Sequence, residues 1–153
     1  MLVADDHPVV CMGLSAIIGA QADMSVVAQA ADGIEAIEQF RKHHPDVTLM
    51  DLRMPNLSGV EAIRAIRGEF PRSVFVVLTT YQGDEDIHRA LMAGAQAYLL
   101  KGMAHGDLLE VIRRVHAGLR YLSAPVLESL AKRPPSSDLS ARELEILKLI
   151  VGG

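Results

Sequence analysis

Residues that could act together on a phosphoryl group are spread along this 153-residue chain. They are the adjacent carboxylates Asp5 and Asp6, the carboxylate Asp51, the hydroxyl of Thr79 and the ammonium of Lys101. The Asp5-Asp6 pair alone is ambiguous. Adjacent like charges at the end of a buried strand are costly, so the pair is either solvated at a strand tip or holds a cation. Three carboxylates brought together cannot all stay ionised without one. Mg²⁺ suits such a set, because it takes hard oxygen ligands, keeps several waters and is held by one or two carboxylates with a phosphoryl oxygen. Lys101 and Thr79 would then stabilise the remaining oxygens of a transferring phosphoryl group, by charge and by hydrogen bond. Asp51 is the carboxylate best placed as nucleophile, forming an aspartyl-phosphate.

The elements that must position these residues are legible as an alternation. Short apolar runs at 1–4, 24–30, 46–50, 74–78 and 97–100 read as strands, several of them nearly continuous, as in a parallel sheet covered on both faces. Helical periodicity lies between them. Val10, Leu14, Ile17 and Ile18 share a face, as do Ile34, Ile37 and Phe40 behind a capping box at Asp32 and Glu35. Val60, Ile63 and Ile66 follow a second box at Ser58 and Glu61. Ile87, Ala90 and Leu91 mark a fourth helix over about 84–93, and Leu108, Ile112 and Val115 a fifth over about 105–118. Right-handed crossovers turn this order into a flavodoxin-like α/β fold, a doubly wound five-stranded parallel sheet. Ligands of such sheets bind beyond the carboxyl ends of the strands. Asp5-Asp6, Asp51, Thr79-Thr80 and Lys101 each close a strand, so all are expected on one rim.

Composition narrows the classes. Half the residues are apolar and 22% are charged, an ordinary globular balance, and a net charge of −4 argues against binding nucleic acid through bulk electrostatics. The charge is uneven, since residues 132–153 carry four basic against three acidic side chains. A single cysteine, Cys11, excludes an internal disulfide and any multi-cysteine metal site, and reads as a small buried thiol. No apolar run approaches the ~18 residues of a membrane span, and no basic-then-apolar leader opens the chain. The expected compartment is cytoplasmic, with no membrane partner.

The stretches VADDHPVV, LMDLRMPNLSGVEA, VVLTTY and GAQAYLLKG, in that order over about residues 2–120, resemble a response-regulator receiver domain of bacterial two-component signalling. The resemblance is to the NarL/FixJ type, which carries a LuxR-like helix-turn-helix. It implies that Asp6, Asp51 and the backbone carbonyl of Arg53 bind Mg²⁺, with Asp5 assisting through water. It also implies Asp51 as phosphoacceptor, Lys101 as its charge partner, and Thr79 with Tyr98 as the switch pair. Phosphorylation would draw Thr79 toward the new oxygens and let Tyr98 fill the space it leaves. The implied partners are a sensor histidine kinase, DNA for the full-length protein, and a second copy of the chain on phosphorylation. The chemistry is that of a phosphoacceptor with at most self-phosphorylation and self-dephosphorylation, not of a classical enzyme. The chain departs from the family at Gly102, where many receivers place a cis proline, at Cys11, where relatives commonly carry a basic residue, and at Ser58, where aspartate is commoner.

Neighbouring residues take plainer readings. His7 could tune the acid pair but is expected to pack at the entrance of the first helix, His43-His44 to be a solvated loop, and the Arg53 side chain to be solvent-facing. Tyr81 could shield a phosphoryl group or be a surface aromatic. Beyond residue 120 a helix is expected over 123–132 and a linker at RPPSSD, 133–138. LSARELEILKLIVGG, 139–153, resembles the first helix of a LuxR-type DNA-binding domain, with a capping box at Ser140 and Glu143. The domain expectation is a receiver at 1–120, a helix and linker at 121–138, and the start of an all-α helix-turn-helix domain at 139–153. Without a recognition helix this fragment is expected not to read DNA. Two rival classes fare worse. A phosphatase of the haloacid dehalogenase type needs a second acid two residues after its nucleophile, where Arg53 stands. A flavodoxin-like cofactor-binding domain needs a phosphate-cradling loop after strand one, where Asp5, Asp6, His7 and Pro8 stand.

Overall fold

Parallel strands buried on both faces alternate their side chains between two apolar layers, and the sheet of this chain does so residue by residue. The computed structural model describes residues 1–80, 83–103, 105–122, 126–128 and 131. Strands β1 (Leu2–Ala4), β2 (Ala28–Ala30), β3 (Thr48–Met50), β4 (Phe75–Thr79), β5 (Ala97–Leu100) and β6 (Tyr121–Leu122) form one parallel sheet in the order β2-β1-β3-β4-β5-β6. Helices α1 (Pro8–Gly19), α2 (Gly33–His43), α3 (Gly59–Glu69), α4 (Asp84–Ala93) and α5 (His105–His116) connect them. Leu2, Ala4, Met50, Phe75, Val77 and Tyr98 face the layer of α2, α3 and α4. Val3, Leu49, Val76, Leu78, Ala97 and Leu99 face α1 and α5. The α/β architecture read from the sequence is therefore present, and among the described residues no helix is long and apolar enough to cross a membrane.

Three details differ from the sequence reading. The sheet has a sixth strand, β6, paired with β5 past residue 120. A two-residue strand has no periodicity to read, and only its partner defines it. β2 occupies Ala28–Ala30 alone out of the run 24–30, because as an edge strand it is paired on one side only, to β1. Helix α2 meets its expected face at Ile37, which packs against the core, and at Phe40, which is buried, but not at its first turn. There Ile34 is 49% exposed, while Gly33 and Ala36 are buried. Gly33 sets this first turn: its N–H donates to the Leu57 carbonyl at 3.0 Å, and a Cβ there would collide with that carbonyl. The caps follow the same logic. Asp32 accepts from the Glu35 N–H at 2.7 Å, but Glu35 reaches back to the Ala31 N–H instead of closing a box with the Asp32 backbone. The Ser58–Glu61 box is complete. The 139–153 segment, with most of the 123–132 helix and the 133–138 linker, lies outside the described residues.

Thr48, at the centre of the sheet, is fully buried, and its Oγ1 has no hydrogen-bond partner among the described residues. A buried unsatisfied hydroxyl costs about 1–3 kcal/mol. Thr48→Val keeps the shape and removes the group, so it should raise the unfolding free energy by about 1 kcal/mol. Urea denaturation of the two proteins measures this, with a lower midpoint for the valine variant as the contrary result.

Candidate functional site

The site is built by main-chain ladders that run one residue past the strands. The Asp5 N–H donates to Ala30 O at 2.9 Å, the Asp51 N–H to Ala4 O at 2.9 Å, and the Lys101 N–H to Thr79 O at 2.8 Å. Asp5, Asp51 and Lys101 are therefore each held by the strand beside them, at the carboxyl end of the sheet whose order reverses between β1 and β3. Thr79, the last residue of β4, is buried on the same rim. Behind the loop that follows Asp51, Gly59 donates to Leu52 O at 3.0 Å, and any Cβ at Gly59 would overlap the Asp51 carbonyl. Close approach of α3 to the acidic residue requires glycine here.

Asp5 and Asp51 are each 4% exposed. Lys101 Nζ stands between them, 2.5 Å from Asp5 Oδ2 and 3.3 Å from Asp51 Oδ2. Asp5 Oδ1 accepts from the His7 N–H at 2.9 Å and lies 3.0 Å from His7 Nδ1. Both Asp5 oxygens are thus engaged by protein groups. Asp6 is different: its Oδ1 is buried and accepts no hydrogen bond among the described residues, although His7 Nδ1 is 3.1 Å away. The Arg53 N–H points at Asp51 Oδ1 over a long 3.5 Å. Burial, reinforced by the charge of Asp5 and opposed by Lys101, pushes the Asp51 carboxyl above the ordinary aspartate range. Burial pulls the Lys101 ammonium down, but its hydrogen bond to Asp5 and the charges of Asp51 and Asp5 outweigh it, and its pKa ends above the usual lysine value. Burial and then Asp5 push the Cys11 thiol up, and its Sγ–H donates to Asp5 O at 3.3 Å.

Ligand atoms of Asp5, Asp6, His7 and Asp51 lie within 4.8 Å of one another. The carboxylates form a hard-oxygen set suited to Mg²⁺, and the buried, unaccepted Asp6 Oδ1 is the oxygen a cation would satisfy. The sequence-predicted residues Asp5, Asp6, Asp51, Thr79 and Lys101 thus converge. Tyr98 is two positions back on the same face of the β4–β5 ladder and fully buried. The Lys101–Gly102 bond is trans, as expected. Tyr81 lies outside the described residues. Two features go beyond the preferred sequence reading. His7 stands at the entrance of α1 as its N-cap and also faces both acids, the tuning position that its adjacency to Asp6 allowed. The Arg53 guanidinium pairs with Asp86 at 3.3 Å, tying the loop after Asp51 to the first turn of α4. No local pattern signals that long-range pair.

Comparison with known proteins places these features in company. Residues 1–113 match the response regulator receiver domain family. The chain is 40% identical over 167 aligned residues to the oxygen regulatory protein NreC of Staphylococcus aureus, covering 100% of this chain and 77% of that protein. A LuxR-family two-component response regulator from Aurantimonas sp. SI85-9A1 superimposes with a TM-score of 0.80 at 34% identity, over 86% of this chain and 94% of its own. The isolated receiver domain of RcsB from Salmonella enterica serovar Typhimurium, solved in the presence of the phosphomimetic BeF3⁻, gives a TM-score of 0.75 at 25% identity, over 84% and 95%.

The raised Asp51 pKa has a pH consequence. An acid whose pKa rises on folding binds its proton more tightly in the folded chain, so its ionisation costs stability. That cost is absent below the ordinary carboxylate pKa and develops as pH climbs through the raised value. Asp51→Asn should therefore raise the Tm of the metal-free protein at about pH 7 and leave it nearly unchanged near pH 3, below the ordinary aspartate value. Thermal melts at both pH values in a chelating buffer measure this. An asparagine variant less stable at neutral pH would contradict the electrostatic account.

Proposed function

The chain belongs to the response regulator receiver family and is a two-component response regulator of the NarL/LuxR type, and from that premise we propose that Asp51 is its phosphoacceptor. The observation that carries this reading is the buried Asp51 carboxylate 3.3 Å from Lys101 Nζ on the same rim as the acid pair. An Asp51 carboxylate oxygen forms the new bond to phosphorus. The bond between phosphorus and the donor, a kinase imidazole nitrogen or an acyl oxygen, breaks, and the donor leaves with its electron pair. Lys101 offsets the charge gathered on the phosphoryl oxygens, and the Thr79 hydroxyl donates a hydrogen bond to one of them. Asp6, Asp51 and the Arg53 carbonyl are the proposed Mg²⁺ ligands, with Asp5 acting through water because Lys101 and His7 already engage its oxygens. When bound, the ion supplies positive charge that lets the acids and the incoming phosphoryl group share the rim.

Thr79 and Tyr98 are the switch pair of this reading. Movement of Thr79 toward the phosphoryl oxygens is felt at Tyr98, its diagonal neighbour, and at the face made by α4, β5 and α5, a two-state change biased by local charge. Response regulators of this kind are signalling proteins that work with sensor kinases and DNA. For this protein we assign a cytoplasmic location, a sensor histidine kinase as donor, DNA as the target of the full-length regulator, and a shift toward a homodimer on phosphorylation. Symmetric regulators and symmetric half-sites support the last assignment. The receiver comprises residues 1–120 extended by β6, and 139–153 begins the DNA-binding domain. Self-phosphorylation and self-dephosphorylation are its only proposed catalysis.

Intact-mass measurement after incubation with Mg²⁺ and a small acyl phosphate should show one phosphoryl group on the wild-type chain, none on Asp51→Asn, and none when Mg²⁺ is chelated. Lys101→Ala should slow acceptance on the order of 100-fold, the usual cost of removing a charge-stabilising donor. Full phosphorylation of Asp51→Asn at the wild-type rate would overturn the assignment.

A further inference from the structure

The ring of His7 serves neither the core nor the helix it precedes. His7 is the N-cap of α1, yet its side chain makes no capping hydrogen bond and is 65% exposed. Its main chain is fixed, because the His7 N–H donates to Asp5 Oδ1 at 2.9 Å and so holds the ring over the acid pair. From there Nδ1 lies 3.0 Å from Asp5 Oδ1 and 3.1 Å from Asp6 Oδ1. Lys101 meets the other oxygens, its Nζ contacting Oδ2 of Asp5 and Oδ2 of Asp51. One ring nitrogen carries at most one proton, so it cannot donate in full to two carboxylate oxygens. Asp6 Oδ1 is the one left buried, with no hydrogen bond among the described residues. A metal cation is the other species that Nδ1 and this oxygen can share. In an octahedral sphere with bonds of about 2.1 Å, neighbouring donors lie about 3.0 Å apart. The 3.1 Å between Nδ1 and Asp6 Oδ1 suits such an edge. Ligand atoms of His7, Asp5, Asp6 and Asp51 all lie within 4.8 Å of one another.

We propose that His7 Nδ1 is a metal ligand beside Asp6, through which the acidic rim selects a first-row transition-metal dication over Mg²⁺. His7 takes this role only if the rim holds a divalent cation, the reading on which the proposal rests. Mg²⁺ is hard and dehydrates reluctantly, so with Mg²⁺ a water keeps this position and the ligands are all oxygen. Imidazole is a softer donor that suits transition metals, and neutral histidine is the commonest metal ligand. The ring proton then sits on Nε2, and Nδ1 offers its lone pair. Among the described residues no other nitrogen of the rim does so. The Arg53 N–H only donates, and Lys101 is held as an ammonium by Asp5 and Asp51. Mn²⁺ is the stringent probe, because it shares the octahedral oxygen preference of Mg²⁺ and differs in accepting the ring nitrogen more readily.

The test uses the full chain with Mn²⁺ or Mg²⁺ in a buffer free of nitrogen donors. Electron spin-echo modulation of bound Mn²⁺ should show a directly coordinated ¹⁴N in the wild type, and His7→Phe should lose it. Titration calorimetry gives the second readout. His7→Phe should lower the ratio of Mn²⁺ to Mg²⁺ affinity about tenfold, the scale of losing a group that holds or orients a metal. A His7 that acts only through charge or packing shifts both affinities alike, and an unchanged ratio would overturn the proposal. So would a wild-type Mn²⁺ signal without coordinated nitrogen. Where the phenylalanine variant fails to fold, His7→Gln decides by the same two readouts. Asp6→Asn tests the cation reading separately and should weaken both ions. A wild-type chain that binds neither ion would refute the cation reading and the His7 ligand together. Asp6-dependent binding of both ions with no nitrogen signal would refute the His7 ligand alone.

Discussion

The ammonium of Lys101, held between two buried carboxylates, is the interaction on which the rest of the site depends. Asp5 and Asp51 are both almost removed from water, and without a cation close by they could not both remain charged. Lys101 answers that demand only in part. Asp51 still carries a raised pKa, and Asp6 still has an oxygen with no hydrogen bond among the described residues. The rim is therefore left short of positive charge. That shortage suits a divalent ion and an incoming phosphoryl group better than a fully satisfied network would, since a network complete in itself has no differential affinity to spend on a ligand.

Holding such groups together without collapse is the task of the sheet. Three ladder hydrogen bonds fix the main chain at Asp5, Asp51 and Lys101, so the side chains meet because their strands are neighbours and not because the side chains attract one another. The two apolar layers behind them supply the stability that a rim of like charges lacks. Gly59 lets α3 approach the Asp51 main chain, and the complete Ser58 box sets where that helix begins. Arg53 then extends the same loop to Asp86, so the segment beside Asp51 touches α4. Such an exposed pair contributes little stability. Its value is geometric, because it joins the loop after Asp51 to the first turn of α4.

The opposite end of the β5 ladder shows a second use of the architecture. β5 is not an edge, because the chain itself covers it with β6. The covering is short and apolar, and it lies against the strand that bears Tyr98. Two edge strands of two and three residues close the sheet, a common way of limiting main-chain pairing between molecules.

The amino-acid sequence by itself determined the alternation of strands and helices, the parallel α/β class, and the convergence of Asp5, Asp6, Asp51, Thr79 and Lys101. These follow from apolar periodicity and from the rule that strand ends of one polarity share one rim, which are local patterns combined with one topological constraint. The tertiary structure alone decided which carboxylate receives the shorter contact from Lys101, that His7 turns toward the acids, and that Asp6 keeps an unaccepted oxygen. Those choices rest on ångström differences set by ladder register between segments far apart in the chain. The first turn of α2 was misread for a similar reason. Ile37 and Phe40 face the core as their spacing indicates, but the close approach of Gly33 to Leu57 turns Ile34 outward. β6 was invisible because two residues have no period, and only the exposed flank of β5 makes them a strand.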